Sequence, residues 1–81
     1  MKLRIRDLRE DNDLTQKQLA ELLNCTQQTY SRYETGEIVI DINSLIKLAV
    51  FYKTSVDYLV GLTETPKPYI KPKTLYNENI S

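Results

Sequence analysis

Eighty-one residues suffice for one small domain and not for two, and a composition 41% hydrophobic and 27% charged is that of a soluble globular chain. Eleven Lys and Arg balance eleven Asp and Glu, so the formal net charge is zero, which counts against a partner gripped mainly by a basic surface. Histidine is absent, the two glycines form no phosphate-cradling loop and no catalytic cluster of carboxylates stands out, so no enzyme, metal site or cofactor is expected.

From the N-terminus, the first apolar positions alternate with Lys2, Arg4 and Arg6, unlike a signal peptide, and no apolar run is long enough to span a membrane. Leu3, Ile5 and Leu8 make the stripe of a first helix ending near Asp11-Asn12-Asp13, with Asn12 as a left-handed terminator. Thr15 fits the N-cap of a second helix, with Gln18 completing a capping box and Leu14 and Leu19 placed as a hydrophobic staple. Leu19, Ala20, Leu22 and Leu23 supply its buried stripe.

Thr26 caps a third helix, stapled by Cys25 and Tyr30 and running to about Thr35, with Gly36 just past its end. A lone cysteine forms no internal disulfide, which suits a reducing cytoplasm. Cys25 reads as a small apolar staple residue, with a redox sensor as the rival reading. Asp41 caps a fourth helix, stapled by Ile40 and Leu45, with Leu48, Ala49 and Phe51 turned inward. Ser55 caps a short fifth helix that ends near Gly61. Ile38-Val39-Ile40 is too short and isolated for a sheet. It either packs on the core or forms a subunit interface. The class is all-α.

Residues 1–63 thus form one domain, and residues 64–81 differ in character. Pro66, Pro68 and Pro72 interleave with Lys67, Lys71 and Lys73, which favours extended backbone. A solvated tail is the plain reading. Tyr69, Ile70, Leu75, Tyr76 and Ile80 leave open a tail that packs on the domain or dimerises.

The second and third helices are joined by so short a link that they cross, as in a helix-turn-helix. At about 100° per residue, Gln27, Gln28, Ser31, Arg32 and Thr35 share an arc of about 140°, with Tyr30 and Tyr33 opposite. Glutamine pairs with adenine N6/N7, and arginine with guanine O6/N7 or a phosphate. The helix starts at Thr15-Gln16 and Thr26 offer amides to phosphate.

"IRDLREDNDLTQKQLAELLNCTQQTYSRYETG" followed by "SLIKLAVFYKTSVDYLVGL" resembles the lambda-repressor-like Cro/CI (XRE) helix-turn-helix family over about residues 3–62. The motifs "LTQKQLAELL", "TQQTYSRYETG" and "SVDYLVGL" follow in family order and spacing. The resemblance implies a five-helix lambda-repressor-like domain that binds double-stranded DNA sequence-specifically, as a homodimeric transcriptional regulator, a repressor, on a palindromic operator. It implies that Gln27, Gln28 and Arg32 face bases, and that Gln16 contacts a phosphate and braces Gln27. Thr15, Thr26, Thr29 and Ser31 are then backbone or supporting contacts, and Arg9 and Glu34 a structural ion pair. A protein-interaction module on the same fold, an antitoxin or adaptor, is the alternative.

Three departures from the family pattern carry expectations. Glu37 and Asp41 stand just after the glycine, where relatives often carry Lys or Arg. Asn24 replaces a turn glycine, a mild change given its left-handed tolerance. Thr54 replaces an apolar residue and loosens the packing before the fifth helix. Residues 1–63 hold eight Lys and Arg against nine Asp and Glu, so only a modest salt dependence per subunit is expected.

Overall fold

The computed structural model describes residues 3–68. Five helices follow in order: α1 (Ile5–Asp11), α2 (Gln16–Leu22), α3 (Gln27–Thr35), α4 (Ile42–Phe51) and α5 (Val56–Leu59). No strand occurs among the described residues, so the all-α, five-helix expectation holds.

Four helices start where local side-chain chemistry says they must. The Thr15 hydroxyl accepts from the Gln18 amide at 3.1 Å, Thr26 from Thr29 at 3.0 Å, Asp41 from Ser44 at 3.0 Å and Ser55 from Tyr58 at 3.0 Å. Each cap satisfies an orphan donor and stabilises by about 1 kcal/mol. The Thr15 amide also donates to Gln18 Oε1 at 2.8 Å, closing the capping box. The Ser44 hydroxyl and amide hold the Asp41 carboxyl below the usual carboxylate range.

The helix ends reuse one device. Asp13, Asn24 and Lys53 all take left-handed backbone, with φ 56, 58 and 56 in that order. The residue after each donates its amide five residues back: Leu14 to Arg9, Cys25 to Ala20, Thr54 to Ala49. The N-cap of the next helix follows at once. The expected left-handed terminator of α1 is therefore displaced by one. Asn12 has φ −100 and donates its side-chain amide to the Leu8 carbonyl, while Asp13 makes the turn. Asn24 takes the left-handed position as expected, and Gly36 does the same past α3 with φ 84.

Ile5, Leu19, Tyr30, Leu48 and Leu59 are fully buried and form the centre of the core, joined by Ala20, Leu23, Ile40, Leu45, Ala49 and Val60. Leu14, Leu22, Cys25 and Tyr33 pack against it from partly buried positions. Phe51 is a correction: it is not inward but 45% exposed, its ring edge-on to Tyr52 at 5.0 Å. In the Ile38–Ile40 loop, Ile40 enters the core and Val39 points out, 85% exposed.

Arg4 ties the two ends of the domain. Its guanidinium lies 4.3 Å over the Tyr58 ring and donates to the carbonyls of Tyr58 and Thr63 at 2.7 and 2.8 Å and to Glu64 at 3.0 Å. Tyr69, Ile70, Leu75, Tyr76 and Ile80, offered above as a packing or dimerising tail, lie outside the described residues.

Thr54 occupies the place before a cap that Leu14 and Cys25 fill before theirs. It is buried, and its hydroxyl has no hydrogen-bond partner. An unpaired buried hydroxyl costs about 1–3 kcal/mol. Thr54→Val keeps the shape and removes the polar atom, so we expect it to stabilise the domain by about 1 kcal/mol. Urea unfolding measures this; equal or lower stability would show that the hydroxyl is satisfied in solution.

Candidate nucleic-acid interface

Helix α3 is held by one side and open on the other. Tyr30 is fully buried and Tyr33 half-buried, which fixes the rotation of the helix about its axis. Gln27, Gln28, Arg32 and Thr35 are consequently exposed, with Ser31 half-exposed between them. Gln16 at the start of α2 completes this surface. Gln16, Gln27, Gln28, Ser31, Arg32 and Glu37 line one open hollow. The residues singled out as base-facing thus come together with Gln16 and Ser31, and also with Glu37.

Thr15 and Thr26 do structural work first, as the caps of α2 and α3. The Thr26 hydroxyl also donates to Thr29 Oγ1 at 2.9 Å, which ties Thr29 to the helix start instead of presenting it alone. The amides of Gln27 and Gln28 precede the first intrahelical bond and face the same exposed end.

Behind the hollow lies a buried charge. The Glu34 side chain, 3% exposed, receives the Arg9 guanidinium as a fork, Nε at 2.7 Å and Nη2 at 3.2 Å. The Arg9 side chain is 14% exposed and also donates to the Leu14 carbonyl at 3.1 Å. Gln16 adds a third donor to the same carboxylate: its Nε2 stands 3.1 Å from Glu34 Oε1. Gln16 therefore spends its amide nitrogen on Glu34, and among the described residues no hydrogen bond joins it to Gln27. The bracing expected between the two glutamines runs instead through Glu34 and the body of α3.

Burial opposes the charge on Glu34, but the donors from Arg9, Tyr30 and Gln16 outweigh it and hold its pKa below the ordinary carboxylate value. Burial, with Glu34 second, pushes the Tyr30 hydroxyl far up. That hydroxyl leans toward Glu34 without completing a hydrogen bond of good geometry. Tyr52, partly buried against the same core, is pushed up to about 12, by burial first and then by Glu34. Sequence spacing could reveal only part of this cluster: Tyr30 precedes Glu34 by one turn of α3, whereas Arg9, Gln16 and Tyr52 come from outside that helix. Only the Arg9–Glu34 pair was foreseen, from the family resemblance.

Burial, then Asp41, pushes the Cys25 thiol up, which fits an apolar staple and disfavours a reactive thiolate. Among the described residues no group of three His, Cys, Asp or Glu side chains stands together as metal ligands would.

Similarity to known proteins covers the same region. The family model described as "Helix-turn-helix" matches residues 5–59. The chain is 39% identical over 72 residues, 89% of its length, to the uncharacterized HTH-type transcriptional regulator YobD of Bacillus subtilis, of which it covers 64%. It is 37% identical over 62 residues, 76% of its length, to the cryptic phage CTXphi transcriptional repressor RstR of Vibrio cholerae, of which it covers 56%. It therefore spans less than two thirds of either curated relative. A crystal structure of a transcriptional regulator from Listeria innocua aligns with a TM-score of 0.70 and 31% identity, covering 95% of this chain and 69% of that one.

The charge cluster makes stability depend on pH in a definite direction. Because the folded pKa of Glu34 lies below its unfolded value, its contribution is complete above the ordinary carboxylate pKa of about 4.3. It is lost as pH falls from there through the lower folded value. Glu34→Gln strands Arg9 and is expected to cost about 3–5 kcal/mol at neutral pH. It should also flatten the acid limb of the stability profile. Urea unfolding from pH 7 to pH 3 tests both; an unchanged acid limb would remove Glu34 as its source.

Proposed function

This chain belongs to the Cro/CI-type (XRE) helix-turn-helix family of DNA-binding transcriptional regulators, and on that premise we propose that it is a sequence-specific repressor acting as a homodimer on double-stranded DNA. The observation that carries this reading is the hollow of Gln16, Gln27, Gln28, Ser31 and Arg32 on the open side of a helix locked from behind. Gln27 and Gln28 stand in the first turn of α3, where a recognition helix meets base edges. Each glutamine offers the donor and acceptor that match adenine N6/N7, and Arg32 the fork that matches guanine O6/N7.

Gln16 and the amides at the starts of α2 and α3 then lie toward phosphate, with Thr15, Thr26, Thr29 and Ser31 holding those starts in shape. Residues 1–63 are the DNA-binding domain in this reading, and its place of action is the cytoplasm. No helix among the described residues is long and apolar enough to cross a membrane. The polar hollow gives base readout without a reaction to run, so no enzymatic role is proposed. The sign of regulation follows RstR, whose name says repressor.

Pairing draws support from α4. Leu45, Leu48 and Ala49 bury one side of this helix. Ile42, Ile46 and Val50, spaced by four residues, leave 58%, 48% and 72% of themselves exposed on another. A helix apolar on two sides calls for a second cover. A second copy would supply it and give two readers for a palindromic site, with spacing set by the two-fold axis. The rival antitoxin or adaptor reading would give the same stripe to a different protein.

Two measurements test these readings. Selection of duplexes from a random library at fixed salt should enrich a palindrome. Replacing Gln27 and Gln28 with alanine should cost about 1–3 kcal/mol of discrimination for each base pair read, with the fold intact. No enrichment by folded protein would favour the adaptor. For pairing, Val50→Lys should shift sedimentation of the chain on a two-half-site duplex from dimer toward monomer. A wild-type chain that is monomeric both free and on that duplex would end the dimer proposal.

A further inference from the structure

Resting on the DNA-binding reading above, we propose that Glu37 is a specificity-determining residue that holds Arg32 to base edges and keeps phosphate away from it. Glu37 lines the same hollow as Gln16, Gln27, Gln28, Ser31 and Arg32. Its carboxylate stands 3.7 Å from Arg32 Nε. The two side chains are 46% and 67% exposed, so the pair adds little to folding stability. Its importance lies in where it stands.

Backbone hydrogen bonds fix the turn that carries the acid. Gly36, with φ +84, turns the chain out of α3 directly before it. The Glu37 amide donates to Thr35 Oγ1 at 3.4 Å, and the Ile38 amide donates to the Arg32 carbonyl at 3.3 Å. Thr35 Oγ1 itself donates to that same carbonyl at 3.2 Å. The turn bearing Glu37 is thus bonded back onto the residue whose side chain it faces.

A guanidinium has five N–H donors, and an acid at the Nε edge leaves the Nη fork free for a guanine O6/N7 pair. A phosphate approaching the same arginine meets the full charge of Glu37; a neutral base edge does not. Glu37 therefore weakens the sequence-independent grip more than the specific one, a repulsive element that raises discrimination. The charge balance agrees: residues 1–63 hold eight basic against nine acidic side chains, so little affinity comes from bulk attraction to the backbone.

The test compares the 81-residue wild-type chain, Glu37→Gln, Arg32→Ala and the double variant, each shown to be folded by circular dichroism. Affinity is measured for the selected duplex and for an unrelated one of equal length, at one fixed salt concentration. Glu37→Gln should bind the unrelated duplex roughly fivefold tighter and the selected one little changed, so the selectivity ratio falls by a similar factor. The guanine preference assigned to Arg32 should broaden. In the Arg32→Ala background the same change should leave base preference unaltered. An unchanged ratio in Glu37→Gln overturns the proposal. So does an equal loss of base preference without Arg32, which would put Glu37 itself on a base such as cytosine. A wild-type chain that selects no sequence at all fails the parent reading, and this one with it, and is distinguished by the wild-type measurement alone.

Discussion

One buried carboxylate joins three helices. Glu34 belongs to α3, Arg9 to α1 and Gln16 to α2, and all three meet within 3.2 Å of its two oxygens. A charge with 3% exposure is costly in isolation. Its cost falls only when all the donors arrive together. That requirement couples helix positions that apolar packing alone would leave free to slide, since Leu, Ile and Ala contacts tolerate small shifts in register. Gln16 shows the coupling most clearly: one end of its amide serves the buried acid, while the residue lines the exposed hollow. The exposed hollow and the charge that locks the fold therefore share a side chain.

What could be read in the sequence was local. The caps at Thr15, Thr26, Asp41 and Ser55 were legible because a short polar side chain and an amide three residues on suffice to make them. The rotation of α3 was legible because its tyrosines and glutamines divide cleanly around the helix. Where the pattern does not divide, the reading failed. Helix α4 is apolar on nearly every side, so periodicity could not decide that Phe51 turns outward. Asn12 and Asp13 are both fair candidates for a left-handed turn, and only the hydrogen bond from Leu14 to Arg9 singles out Asp13. Gln16 came to Glu34 unannounced, since its approach depends on how α2 meets α3. Glu37 stands out in the sequence only as an acid in an unusual place; its distance to Arg32 is what supports the role proposed for it.

The neutrality of the chain and the geometry of the hollow belong together. A reader with abundant lysine gains affinity for any duplex, and must then recover discrimination from base contacts alone. Here the working side is mostly amides and hydroxyls, with one arginine facing one acid. On the proposed reading, such a surface binds modestly unless shape and hydrogen-bond pattern both match, and a second copy seated on α4 would raise the match that must be met.

The link used three times, after α1, α2 and α4, also bears on how quickly the domain assembles. Each link closes through hydrogen bonds reaching no more than five residues back, and each cap adds one across three. Little chain entropy is spent before such contacts form, so three of the helix junctions can take shape independently of the rest. The contacts that cost most chain entropy are then the distant ones, Arg9 with Glu34 at 25 positions apart and Arg4 with Tyr58 and Thr63 at 54 and 59. On contact-order grounds its turns are quick to close, and the slower step is expected to be bringing the two ends of the domain onto one core.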